Sequence, residues 1–167
     1  MGAWGPGLYS DDVTEDVRGI YVDKLHRGKN GEQASKEMIA EFEWACSDED
    51  DAPVFWFAMA DMQWNYGRLQ EEVKKKALYY LDDMKNLQRW EHENPKMAEK
   101  RKQVLNELRK KLNTLQPSEK KVSQYRLYHC QWKVGDMYAY QLEGEYAKER
   151  GLNGKYLLFY KIAESIW

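Results

Sequence analysis

The chain has 167 residues, a length that allows one domain or one domain with a small appendage. Charged residues make up 32% of the sequence, and the longest apolar run, residues 54–60, is far shorter than the roughly 20 residues that span a bilayer. The opening residues lack the basic and apolar regions of a signal peptide. These features argue against a membrane protein and predict a soluble protein of the cytoplasm, with its two cysteines reduced.

Charge is unevenly distributed along the chain. Residues 1–95 contain 20 acidic and 11 basic side chains, whereas residues 96–121 contain 9 basic and 3 acidic ones. An acidic body attracts basic partners, and only the basic segment could attract nucleic acid. We therefore expect a protein partner, with nucleic acid as the less favoured alternative.

Helical spacing of apolar residues predicts two helices in the first part of the chain. The first begins near Asp11 and Asp12, which supply a cap and acidic side chains for the N-terminal end of the helix dipole. The second is predicted from about Glu32 to Cys46 and is followed by the acidic run of residues 47–51.

Residues 51–69 are apolar nearly all round, which predicts a helix through the centre of the core. Asp51 is suited to cap this helix, Pro53 to occupy its first turn, and Gly67 to terminate it. The centre of the fold is therefore expected to be this single helix.

Asp61 is the one carboxylate inside that apolar run. A buried charge is unfavourable unless it is paired, so we predict an ion pair with an arginine such as Arg18 or Arg68. The alternative is an enzyme whose pocket is lined by Trp4, Asp11, Asp12, Asp61 and Gln63. No nucleophile motif and no complete set of metal ligands is present, so we assign no catalytic residue, metal or cofactor.

Two further helices are predicted over residues 69–83 and 95–113, and residues 84–94 between them are ambiguous. The basic side chains of the last helix are spread around it and are interleaved with acids, which favours a solvated helix over a nucleic-acid footprint.

The pattern changes after residue 116. Residues 117–131 are predicted to be a linker, and residues 137–142 and 155–163 to be strands of a β module over residues 132–167. An isolated hairpin is marginal in water, so we expect that this module needs further strands, the helical body or a partner, and an incomplete β module is one of these alternatives. The predicted fold is mainly α with a small C-terminal β appendage (α+β): about five helices over residues 1–116, plus a hairpin or partial sheet.

Exposed aromatic side chains beside acids are typical of protein-binding surfaces. Trp44 precedes the acidic run in this way, and we predict that the contact residues are Trp44, Asp48, Glu49, Asp50 and Asp51.

The opening of the chain, MGAWGxGxYxDD over residues 1–12, resembles an uncharacterised family of Firmicutes proteins and is similar to the domain-of-unknown-function 4259 family. Residues 53–56, 60–64 and 67–69 resemble the central motif of the Firmicutes group. The resemblance covers roughly residues 1–112 and implies a helical domain without an established activity.

The tail, residues 132–139 followed by residues 154–158, resembles the opening of immunity-protein-26-like domains. That resemblance implies a bacterial immunity protein that binds and neutralises a toxin. Together these features favour a non-enzymatic inhibitor that blocks a basic target surface sterically and electrostatically. A phage-encoded, anti-CRISPR-like inhibitor of a defence nuclease is the alternative target class.

Overall fold

The structure, a computed structural model, describes residues 4–83, 85–126 and 130–164. The chain divides into two compact units, Met1–Tyr125 and Arg126–Trp167. The described residues of the first unit are helical apart from their connections, and those of the second contain a two-stranded antiparallel sheet. The predicted class, mainly α with a small C-terminal β part, is confirmed. Over these residues no helix combines the length and apolar character that crossing a membrane requires.

The helices of the first unit are α1 Asp12–His26, α2 Gly31–Glu41, α3 Glu43–Cys46, α4 Asp51–Asn65, α5 Glu71–Asp83, α6 Lys85–Glu93 and α7 Pro95–Leu112. The predicted second helix is interrupted at Phe42, where the backbone turns to φ −101° and ψ 25°. The ambiguous segment forms α6. The described part of this unit therefore contains seven helices, compared with the expected five or so.

Helix α4 is the centre of the first unit. Its residues from Ala52 to Gln63 are all buried, and α1, α3, α5 and α7 pack around it. A helix that is apolar on every face needs neighbours on every side, and this arrangement supplies them. Gly67, at φ 66°, ends α4 in a Schellman motif, with its N–H donated to the carbonyl of Trp64 and the N–H of Arg68 donated to Gln63.

The start of α4 differs from the prediction. Asp51 is the first residue of the helix, and the side chain of the N-cap residue, Asp50, does not cap it. The carboxylate of Asp48 instead accepts the N–H groups of Asp50 and Asp51. The capping carboxylate thus comes from three residues before the helix, because the chain forms a tight turn there. By contrast, Asp11 caps α1 as predicted, through the N–H of Val13.

Residues 116–125 form what we call the docked segment, which has no regular secondary structure but lies on the helices of the first unit. The N–H of Lys120 donates to the carbonyl of Tyr66 (3.0 Å), and the N–H of Tyr125 donates to that of His26 (2.8 Å). A Cβ atom at Gly67 would lie 2.4 Å from the carbonyl oxygen of Pro117, so only glycine admits this approach. The predicted linker, residues 117–131, therefore begins as a fixed part of the helical unit, and residues 127–129 lie outside the described residues.

The second unit pairs β1 Met137–Gln141 with β2 Tyr156–Tyr160, with Met137 opposite Tyr160. The connection contains a short helix, α8 Glu145–Glu149, where a loop was predicted. All five residues of β2 are exposed, although each is a large apolar or aromatic residue. Residues 165–167 of the predicted β module lie outside the described residues.

Candidate functional site

The connection between α3 and α4 is an acidic turn, residues 47–51. The Oδ1 atom of Asp48 lies 2.9 Å from the backbone nitrogen of Asp50 and 3.0 Å from that of Asp51. The side chains of Asp48, Glu49 and Asp50 are exposed, and that of Asp51 is half-buried. Because one side chain fixes the backbone, the acidic groups project from a turn of defined shape.

Mutual repulsion within the acidic turn is visible at Asp51. Burial raises the pKa of the Asp51 carboxyl, and the neighbouring carboxylates of Asp48, Asp11 and Asp50 raise it further. Asp11, predicted to line a pocket at Asp61, is therefore electrostatically part of the acidic turn. A basic group placed here would relieve this repulsion.

Trp44 supplies an aromatic surface next to the acidic turn. Its side chain is 47% exposed, and its ring stacks on Phe42 with the centroids 6.1 Å apart. Phe42 is buried and packs against Phe55 of α4. The exposed face of Trp44 is thus supported by a buried ring, and Trp44 precedes the acidic turn by three residues in the chain.

Asp61 is buried, with 6% of its surface exposed, and both of its carboxylate oxygens have partners. Oδ1 accepts a hydrogen bond from Nζ of Lys111 (2.5 Å). Oδ2 accepts from the hydroxyl of Tyr9 and from the side-chain amide of Asn65, both at 2.7 Å. Asn65 in turn accepts from Lys111 at 2.8 Å. We call these four residues the Asp61 cluster.

The prediction that Asp61 pairs with an arginine is wrong. The guanidinium of Arg18 lies over the ring of Tyr9 at 5.2 Å, and Arg68 pairs with Glu119 of the docked segment. Lys111 in the last turn of α7 takes the position instead, since its long aliphatic stem lets the ammonium reach inward. The cluster consequently ties α4 to α7 and to the loop before α1.

The Asp61 cluster also raises the pKa of the Tyr9 hydroxyl. Burial of the phenol is the main cause, and the adjacent carboxylate of Asp61 adds to it. A hydroxyl held neutral in this way serves as a permanent donor to the carboxylate. The cluster therefore has the properties of an internal structural contact.

The residues that the sequence grouped into an alternative pocket lie on different parts of the first unit. Gln63 is fully buried on another side of α4, where it donates to Ser35 and accepts the N–H of Gln70. Trp4 is mostly exposed, and its backbone N–H donates to the backbone carbonyl of Ser10. Asp12 lies in the first turn of α1. Among the described residues, the hydrogen-bond partners of Asp61 include none of Trp4, Asp11, Asp12 and Gln63.

Sequence reasoning missed a groove between α1 and α4, with a volume of about 620 Å³. Helix α1 contributes Arg18, Gly19, Val22, Asp23 and His26 to its lining. Helix α4 contributes Met62, Asn65 and Tyr66, and Tyr9 and Tyr125 complete it. We call it the α1–α4 groove. The sequence contained one signal of it, namely a glycine at position 19 in the middle of an otherwise regular helix.

Several basic side chains of α7 are engaged within the first unit. Arg101 is buried and donates to the carbonyl of Gly7, and burial lowers the pKa of its guanidinium to about 10. Arg109 pairs with Asp82 at 2.6 Å, and Lys111 pairs with Asp61. Three of the seven basic residues of α7 thus have internal partners, which leaves less positive charge for a nucleic acid to contact.

In the part of the chain that the structure describes, no three or more His, Cys, Asp or Glu side chains are arranged to hold a metal ion. Comparison of the chain with protein-family models, with curated proteins and with solved structures gives no match.

Proposed function

We propose that this chain is a non-enzymatic binding factor of the bacterial cytoplasm. It inhibits a basic protein by blocking the functional surface of that protein. The observation that carries the proposal is the acidic turn, whose carboxylates are crowded together on a backbone held by Asp48, just after the half-exposed Trp44 in the chain. A basic partner surface would gain from this pre-organised charge, since a turn already fixed by Asp48 loses little conformational entropy on binding.

Trp44 would act as the anchor of the interface. Aromatic side chains near the centre of an interface carry a large share of binding energy, while surrounding charges steer the partners together. A toxin or nuclease active site that binds a polyanion is a basic surface of the required kind. The resemblance of the tail to immunity-protein-26-like domains and that of the first 112 residues to the Firmicutes family agree with this proposal.

The target class is the finer part of the proposal. A toxin gene adjacent to the gene for this chain would favour an immunity protein, and a prophage setting would favour an anti-defence inhibitor. We do not propose the enzyme centred on Asp61, because Lys111, Tyr9 and Asn65 occupy both of its oxygens.

The test is a pull-down from a lysate of the bacterium that encodes the chain, at low and at moderate salt, with mass spectrometry of the retained proteins. The turn variant is Asp48→Asn/Glu49→Gln/Asp50→Asn, in which the amide at position 48 retains an oxygen to cap the turn. The matched control, Glu91→Gln/Glu99→Gln/Glu107→Gln, removes three exposed charges from α6 and α7.

We expect the wild type and the control to retain one stoichiometric partner, and the turn variant to bind it at least about tenfold more weakly. Trp44→Ala should also weaken binding, whereas Tyr79→Ala, at an exposed aromatic on α5, should not. The proposal is refuted if no partner is retained at either salt concentration, or if the turn variant retains the partner as well as the control does.

A further inference from the structure

Gly19 has no structural reason to be glycine. It lies in the middle of α1, where glycine destabilises a helix by roughly 0.5–1 kcal/mol relative to alanine. A Cβ atom placed there would meet no heavy atom of the described residues within 4 Å, and the backbone is helical. Close packing therefore does not require the glycine. Its one structural consequence is that the wall of the α1–α4 groove is open at this position.

The groove has the dimensions of a small-molecule site. Its volume of about 620 Å³ falls within the range of about 300–1,000 Å³ that ligand pockets occupy. Gly19, Val22 and His26 follow one another along a single face of α1, and the seven steps from Gly19 to His26 rise by about 10 Å. A ligand of two fused or linked rings spans this length.

The walls of the groove favour a flat apolar body. Val22 and Met62 supply aliphatic surface, and the rings of Tyr9 and Tyr66 contribute aromatic surface. At the far end the ring of His26 stacks on that of Tyr125, with centroids 4.9 Å apart and planes 16° apart. Aromatic walls of this kind gain from stacking or edge contacts with an aromatic ligand.

Arg18 places a positive charge at the groove, which favours a negatively charged ligand. Its side chain is 55% exposed, and its carboxylate partner Glu15 is 3.5 Å away and nearly as exposed, so their pairing is weak. Asp23, the acid in the lining, is neutralised by Arg27 at 2.5 Å. The amide of Asn65 is engaged at both ends by the Asp61 cluster. The guanidinium of Arg18 is thus suited to bind a carboxylate. The ammonium of Lys120, 5.6 Å from the centre of the Tyr66 ring, adds a second positive charge at the groove.

His26 supplies a polar contact at the other end. Its Nδ1 atom lies 2.6 Å from the carbonyl oxygen of Ser123, which only accepts hydrogen bonds, so Nδ1 carries the proton. With Nδ1 as the donor, the neutral tautomer of the ring would leave the lone pair of Nε2 free to accept a hydrogen bond. A ligand with an N–H or O–H group at this end would satisfy it.

From these contacts we propose that the α1–α4 groove binds a small aromatic carboxylate. The carboxylate contacts Arg18, the ring occupies the space left open by Gly19, and a donor on the ring faces His26. This site is separate from the acidic turn and does not depend on the protein partner proposed above.

The test uses three probes that share an indole ring and differ in charge: indole-3-acetate, indole-3-acetamide and tryptamine. Each is titrated into the full ¹⁵N-labelled chain while backbone amide shifts are followed. We expect saturable shifts with indole-3-acetate at residues 18–26 and 62–66, with a Kd below about 1 mM. The amide should bind about tenfold more weakly, and the amine more weakly still.

Two variants distinguish the site from incidental binding. Gly19→Leu fills the groove and should weaken indole-3-acetate binding at least tenfold, while the Tm stays equal or rises because leucine favours the helix. Arg18→Gln should bring the affinities of the acetate and the acetamide together, whereas Lys36→Gln, which removes an exposed cation of α2, should leave them unchanged.

The inference is overturned if indole-3-acetate gives no saturable shifts at the groove, or if its shifts fall on the exposed strands of the second unit instead. Equal binding of all three probes, or unchanged binding by Gly19→Leu, also overturns it. None of these outcomes affects the proposed protein partner, which contacts the acidic turn.

Discussion

The two units of the molecule treat their aromatic side chains in opposite ways. The second unit has 9 aromatic residues among 42, and the first has 14 among 125. Yet in the first unit Tyr21, Phe55 and Phe57 are fully buried, whereas in the second unit every residue of β2 is exposed. The richer unit therefore buries less of its aromatic surface.

The difference shows that burial depends on the number of packing layers more than on composition. Helix α4 has other helices around it, whereas a two-stranded sheet has two faces and no second layer of its own. A run of five large apolar residues is typical of a strand covered on both faces. The β2 strand thus has the sequence of a buried strand, but its side chains are exposed. An exposed apolar surface of this kind is suited to contact with another molecule.

The first prediction concerns the Asp61 cluster, in which a buried carboxylate is paired with an ammonium. Asp61→Ala should lower the free energy of unfolding by about 3–5 kcal/mol, because it leaves the ammonium of Lys111 without its carboxylate and the hydroxyl of Tyr9 without an acceptor. Chemical denaturation followed by circular dichroism measures this change.

A double-mutant cycle sharpens the result. Lys111→Met keeps most of the aliphatic stem and removes the charge, so the two substitutions together should cost clearly less than their sum. A cost below about 1 kcal/mol for Asp61→Ala would contradict the Asp61 cluster, since that is the size expected of an exposed carboxylate.

Local patterns in the sequence predicted much of the helical unit. The apolar spacing identified α1, α4, α5 and α7, and Gly67 marked the end of α4, because both signals act within a few residues. The interruption at Phe42 could not be predicted, since the apolar spacing continues through it. The hairpin was predicted from its two apolar runs, and its short connecting helix was not.

The contacts that define the sites are of longer range. Lys111 is 50 residues from Asp61 in the chain, and it was interpreted as part of a solvated face because its neighbours in α7 are charged. The α1–α4 groove depends on where the docked segment places Tyr125, which no local pattern encodes. The residues of the acidic turn could be grouped from the sequence because they are contiguous, but the sequence did not show that Asp48 rather than Asp51 supplies the cap.

The second prediction uses the buried hydroxyl of Tyr21, which has no hydrogen-bond partner among the described residues. Burial raises the pKa of this phenol to about 12, above its usual value near 10. The pKa of Tyr21 is higher in the folded chain than in the unfolded chain. Its contribution to the free energy of unfolding is therefore complete below pH 10 and is lost as the pH rises through 12. Ionisation of Tyr21 should cost on the order of 2–3 kcal/mol over that window.

Tyr21→Phe removes both the unpaired hydroxyl and its titration. At pH 8 the variant should be as stable as the wild type or more stable by up to about 1 kcal/mol, and it should lose less stability than the wild type between pH 10 and 11.5. Denaturant midpoints at these pH values measure the difference. Tyr79→Phe, at an exposed position of α5, is the control and should follow the wild type. Identical pH profiles for Tyr21→Phe and the wild type would contradict a raised pKa of the Tyr21 hydroxyl.

The smallest effect is expected in the second unit, and it tests the comparison itself. Leu158 is 65% exposed in β2, so Leu158→Ser removes little buried area and should change the free energy of unfolding by less than about 0.5 kcal/mol. Leu112→Ser, the same substitution at a fully buried position of α7, should cost several kcal/mol. Denaturation of both variants at low protein concentration measures the contrast. If Leu158→Ser costs more than about 1 kcal/mol, this leucine is covered in solution, and the β2 surface is already in use rather than open to a partner.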